Sequence, residues 1–203
     1  MLKRTKGRFL LSLLVITGFA GTVNNTALTK ENRKLAVEHL KDSKLELQKI
    51  TKSLSDNQLN FKVTGDSPSI RELFYQLLAT EAYYWDVLDR TMRGPSTPEK
   101  RSGLALSDGD LIPGGPIAKT DICFHPNEQS WKSITAAQAS FKQTRTQYLK
   151  YVKTTTEDLR NHVISMPFGK VDSYQFILFV STHSDKHLRD IRAIMAHPSF
   201  PKK

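Results

Sequence analysis

Cysteine is nearly missing from this chain: Cys123 is the only one in 203 residues. With no second thiol there is no intramolecular disulfide, so stability has to come from a packed core. A lone cysteine leaves pairing between chains open, but Cys123 has no adjacent base or cation motif to make it a nucleophile. It reads as a half-buried loop residue. Long apolar runs are scarce too, and past the N-terminus none approaches the roughly 20 residues of a membrane-spanning helix. Internal repeats and low-complexity tracts are absent, which excludes a repeat array.

Charge is plentiful but one-sided, with thirty Lys and Arg against twenty Asp and Glu, a formal +10. Part of the excess lies in Met1–Ala20, MLKRTKGRFLLSLLVITGFA. Lys3, Arg4, Lys6 and Arg8 precede an apolar run from Phe9 to Ala20, with the small residues Gly18 and Ala20 at its end. A basic head, a short apolar centre and small residues at a cleavage point are the layout of a secretory signal peptide over 1–20. The stretch has no polar face and so does not suit a first core helix. Its removal takes away four basic residues and no acid, leaving 26 against 20, a net +6. The expectation is an exported, periplasmic protein. With moderate charge and no dense basic cluster left, a nucleic-acid partner is not expected.

Apolar content of 38% and charged content of 25% suit one globular domain, expected over 28–202. Four segments carry a helical period. In the first, about 30–54, Ala36, Leu40, Ser43, Leu47, Ile50 and Leu54 form one inward stripe, and Ser55-Asp56-Asn57 breaks it. The second opens at Ser69 with Glu72 three residues on, a capping box. Its stripe is Ile70, Leu73, Leu77, Glu81, Tyr84, Leu88, an apolar row with one acid in it. The third, about 133–154, turns Ile134, Ala137, Phe141, Arg145, Tyr148 and Val152 inward. The fourth, about 173–196, follows Pro167-Phe168-Gly169 and is closed by Pro198. Between the second and third, 91–130 is rich in Gly and Pro yet holds Leu104, Leu106, Leu111, Ile112, Ile117, Ile122 and Phe124. It reads as a long crossover laid over one end of an all-α four-helix bundle.

The inward row of the fourth helix is Phe176, Val180, His183, His187, Ile191, Ile194. His183 and His187 stand four residues apart, so both rings leave one face a turn apart and can converge on one ion. Each buried imidazole also brings a donor and an acceptor that need partners. The zinc-protease motif HExxH is excluded, because position 184 is Ser and the required general base is missing. Glu81, on the inward stripe of the second helix, is available as a third ligand or as an acceptor for a ring N–H. A metal-free buried network of His183, His187, Glu81 and Gln76 or Arg145 is the other arrangement the residues allow. His39 and His125 read as surface residues.

Taken in order, Ser69-Ile70-Arg71-Glu72-Leu73, a long crossover, Pro167-x-Gly169, His183-x-x-x-His187 and Pro198-Ser199-Phe200-Pro201 resemble the DinB-like (YfiT-type) four-helix bundle superfamily. The resemblance runs over most of 28–202 and is closest to exported members of that superfamily. It implies a divalent metal such as zinc, nickel or manganese on three histidines, one from helix two and two from helix four. His183 and His187 fall on the helix-four positions. The helix-two position is Gln76, whose amide oxygen is a poorer ligand than imidazole for zinc or nickel. The resemblance also implies a homodimer, and chemistry ranging from thiol transfer to none known.

Three functions follow as expectations. The first is a metal-dependent hydrolase or transferase, with export weighing against low-molecular-weight thiol chemistry. The second is a binding module for a small molecule or an envelope protein. The third is a structural envelope protein whose polar centre fixes helix register.

Overall fold

The computed structural model describes residues 27–119 and 131–202. The expected signal peptide and the readings of Cys123 and His125 lie outside the described residues. Helix α1, Lys30–Ser53, starts at a capping box in which Thr29 accepts from the Asn32 amide. It buries Ala36, Leu40, Ser43, Leu47 and Ile50, the stripe its periodicity dictates. The polar break after it is itself helical: Ser55 and Gln58 cap each other and nucleate a short α2, Asp56–Asn60. Helix α3, Ile70–Arg93, begins as expected, with Ser69 Oγ accepting from the Glu72 amide at 3.2 Å and Glu72 Oε2 accepting from the Ser69 amide at 2.7 Å. Helix α4 is Ile134–Thr154 and α5 is Ser173–Met195.

The chain is an all-α four-helix bundle of α1, α3, α4 and α5, with one small β addition. Strands β1, Val163–Met166, and β2, Gly169–Asp172, pair antiparallel around Pro167-Phe168, in register Val163↔Asp172 through Met166↔Gly169. Gly169 takes φ +128, a conformation that L side chains rarely adopt, so this turn needs glycine. β2 runs directly into α5, whose N-cap is Asp172, boxed with Gln175. The hairpin thus sets the angle at which α5 enters the core.

The described part of the crossover, up to Lys119, starts at the hairpin where α5 begins and then runs along α5 instead of staying over that end. Its first 3-10 turn, Pro98–Gly103, packs on the β1–β2 hairpin, and the next two, Asp108–Leu111 and Pro116–Lys119, lie along α5. Three α5 side chains hold its backbone. Gln175 Nε2 donates to the Leu106 carbonyl at 2.7 Å, Thr182 Oγ1 to the Leu111 carbonyl at 2.5 Å, and an Arg189 guanidinium N–H to the Ala118 carbonyl. Arg160 adds a latch. It donates to Asp108 Oδ2 at 2.7 Å and to Asp172 Oδ2 at 3.0 Å, with its guanidinium 4.2 Å over the Tyr174 ring.

The apolar core falls into two clusters. One gathers Ala36, Leu40, Tyr84, Leu88, Tyr148, Val152 and the first turns of α5 from Tyr174 to Val180. The other gathers Leu47, Ile50, Ile70, Phe74, Leu77, Ala137, Phe141, Leu188 and Ile191. Each helix has its polar interruption at the level between them: Ser43 on α1, Glu81 on α3, Arg145 on α4, and His183, Ser184 and His187 on α5.

Candidate metal centre

That polar layer is organised by one guanidinium. Arg145 Nε donates to Glu81 Oε2 at 2.8 Å, and Arg145 Nη2 donates to Glu81 Oε1. Nη2 also reaches Ser184 Oγ, and Nη1 donates to Ser43 Oγ at 3.2 Å. Ser184 in turn donates to Glu81 Oε1 at 2.7 Å, and Ser43 donates to the His39 carbonyl at 2.9 Å. A residue of α4 therefore touches side chains of α3, α5 and α1 at once. Tyr148, one turn on, donates to the Glu81 carbonyl at 3.3 Å. The Arg145 and Glu81 side chains are 0% and 1% exposed, so each charge relies on the other and on these hydrogen bonds for the solvation it has lost.

The two histidines lie beside this network on α5. His183 is 3% exposed and His187 1%. Their ring centroids are 4.7 Å apart at an interplanar angle of 72°. Tyr84 packs edge-on against His183 at 5.6 Å and Phe179 lies 6.2 Å from it. Both ring nitrogens of His183 are buried, with no hydrogen-bond partner among the described residues. Burial pushes the His183 pKa well below the ordinary range, and the nearby His187, Arg145 and Lys186 push it the same way. At neutral pH the ring is uncharged, the form that binds metal.

The donor set can be tested against a divalent ion residue by residue. Two imidazoles sharing one ion at about 2.1 Å per nitrogen hold their centroids roughly 4.5–5.3 Å apart; the observed 4.7 Å lies in that range, which edge-on ring pairs also occupy. The partnerless nitrogens of His183 fit as well, since a buried imidazole left unpaired costs about 1–3 kcal/mol for each polar atom. Glu81 does not fit as a ligand. Both its oxygens accept from Arg145, and Oε1 also accepts from Ser184. Among the described residues no three of His, Cys, Asp and Glu are grouped to hold an ion.

Gln76 is half-buried on α3. Antiparallel packing of α3 on α5, fixed by the Ser184–Glu81 bond and by Tyr84 against His183, puts Gln76 near the level of His187. It shares a face with Thr80, one turn on, whose hydroxyl donates to the Gln76 carbonyl at 2.9 Å. Gln76 and Glu81, five residues apart, leave α3 in directions about 140° apart, so the two do not share a face.

His39 departs from its reading as a surface residue. It is half-buried, and its Nε2 is shielded from solvent with no hydrogen-bond partner among the described residues. Ser43 and Ser184 join the polar layer, and sequence reasoning assigns neither to the site. Their signal was present for Ser43, a hydroxyl inside an apolar stripe. Ser184, adjacent to His183, gave none beyond excluding the protease motif.

The sequence model of the DinB superfamily matches residues 39–191. Among solved structures, YfiT from Bacillus subtilis matches with a TM-score of 0.58 at 10% identity, covering 83% of this chain and 88% of that one. YfiT is described as a probable metal-dependent hydrolase with an unusual four-helix bundle topology. No curated protein matches the chain.

Proposed function

The chain belongs to the DinB superfamily, and we propose that within it this bundle holds one divalent ion on His183 and His187, with Gln76 as third donor, for a hydrolytic or transfer reaction outside the cytoplasm. One observation supports the reading: two imidazoles are buried together, and both nitrogens of His183, whose pKa burial holds low, have no partner among the described residues. Two imidazoles and an amide favour zinc or nickel over manganese. Such an ion supplies Lewis acidity toward a carbonyl or phosphoryl oxygen.

The protein's own groups do the remaining work. His183 stays neutral because it is buried beside other positive or titratable groups. The Arg145–Glu81–Ser184 bonds fix the height of α5 against α3 and α4, and so the height of both histidines. Tyr84 and Phe179 close the His183 side against water. None of the three donors is anionic, so the ion's charge is left for an incoming anionic or polarisable oxygen to meet.

The binding-module reading has one observation in its favour: Arg145 and Ser184 occupy the carboxylate that would have completed a charged ligand set. Thermal melting of the purified protein with and without added zinc or nickel separates the two. The metal reading expects a rise in Tm of several degrees, lost in His183→Ala. No rise with either metal supports the binding module.

A further inference from the structure

The positive charge of this molecule is concentrated on one side. α1 carries seven basic and four acidic residues, and α4 carries four basic and no acidic ones, a net +7 for the pair. α3 has three basic and four acidic residues and α5 three and two, so these two helices together are neutral. The excess of the chain after Ala20 is +6, so the α1/α4 side holds all of it.

The cations on the two helices also repeat with one spacing: Lys41, Lys44, Lys49 and Lys52 on α1, and Lys142, Arg145, Lys150 and Lys153 on α4. Arg145 alone turns inward, to Glu81. Of the other seven, Lys44 is half-buried and the rest are exposed. None forms an ion pair with a carboxylate of a described residue. The nearby acids offer little compensation, since Glu38 is paired with Lys34 and Glu46 with Arg192, leaving Asp42. α1 and α4 pack antiparallel, with Ser43 on Arg145 and Thr51 on Gln138. The two lysine rows therefore run side by side in opposite directions along helices of roughly 30–36 Å. The field between them is uncompensated: the Lys44 ammonium is held below its usual range by burial first, then by Lys142 and Arg145.

In the α1 row, one turn from Lys41 and one turn from Lys49, stands Leu45. It is 62% exposed, more than any other large apolar side chain among the described residues. We propose that the α1/α4 face docks on an anionic phospholipid bilayer, with its lysines on the headgroup phosphates and Leu45 in the acyl boundary. A long double row of ammoniums with an exposed leucine in one row matches such a surface in charge and in polarity. A nucleic acid fits less well, because neither helix carries a fully exposed aromatic ring on which a base could stack, Tyr151 being half-buried, and a phosphate backbone has no use for Leu45.

The test is co-sedimentation of the full chain with vesicles of phosphatidylcholine alone or mixed with about one third phosphatidylglycerol, at about 0.1 M and 0.5 M salt. All proteins compared share the N-terminal residues, so differences between variants report on this face. Reversing Lys41, Lys49, Lys142 and Lys150 to Glu is expected to lower partition onto the anionic vesicles at least about tenfold. Reversing Arg90 and Arg93, on α3, should change it less than about twofold. Leu45→Ser is expected to cost about threefold or more, most visibly at high salt. Circular dichroism checks that each variant is folded, and the milder Lys142→Gln with Lys150→Gln should move partition the same way if the quadruple change unfolds. Wild-type partition in the folded charge-reversed variants, equal loss on the neutral vesicles, or tighter binding to duplex DNA than to anionic vesicles in the same buffer would each overturn the proposal.

Discussion

Arg145 and Glu81 form a bidentate ion pair at the centre of the bundle, with Arg145 Nε 2.8 Å from Glu81 Oε2 and almost no exposure on either side chain. Such a pair is costly to break and cheap to replace whole. Glu81→Gln or Arg145→Met alone is expected to lower unfolding stability by about 3–5 kcal/mol, because an uncompensated charge stays buried. Arg145→Met combined with Glu81→Leu should recover most of that loss. Urea unfolding of the three variants at pH 7 measures both effects. Additive losses in the double variant would show that the pair is not acting as one unit.

The His183 pKa is shifted down in the folded state, chiefly by burial. A base whose pKa is lowered on folding binds more protons when unfolded, so stability falls as pH drops through its unfolded value near 6.5. Chelator-treated protein should therefore lose stability progressively below about pH 6.5, and His183→Leu should flatten that slope. Thermal melts between pH 5 and 8 read it directly. An unchanged slope in the variant would assign the acid sensitivity elsewhere.

Arg160 ties the crossover to the N-cap of α5 through Asp108 and Asp172. Burial pushes the Asp172 carboxyl up, and the Arg160 guanidinium opposes that shift. Arg160→Ala should cost about 2–3 kcal/mol, as expected when charged hydrogen bonds and a cation–ring contact are lost. Protease cleavage within 94–119 should rise with it. Arg160→Lys should rescue little, because an ammonium cannot serve both carboxylates and lie flat on Tyr174.

Much of this architecture is legible in the apolar rows. Each of the four bundle helices buries the stripe its period marks, and Ser69 and Glu72 cap α3 as their spacing requires. What a row cannot carry is its height against its neighbours. Ser43, Glu81 and Arg145 each interrupt a stripe visibly, but their meeting depends on the axial register of four helices. Glu81 was therefore readable as a partner for the histidines, and only the packing shows Arg145 reaching it first. The short elements escaped for another reason. α2 and the Val163–Asp172 hairpin are too brief to show a period, and Ser55-Asp56-Asn57 serves equally as a break and as a helix start.

Gln76 is near the level of His187 on the facing helix, and is the proposed third donor. Gln76→His should tighten zinc or nickel binding at least about tenfold, since imidazole is the better donor to these ions. Competition with a chromogenic chelator measures it. An unchanged affinity would place Gln76 outside the site and leave the two histidines of α5 without it.

Whether His183 and His187 share an ion is read from the metal content of the purified protein. Elemental analysis should find close to one zinc or nickel per chain in the wild type and close to none in His183→Ala of equal fold. A wild-type protein that purifies and refolds without metal, and takes up neither zinc nor nickel when they are supplied, would contradict the account.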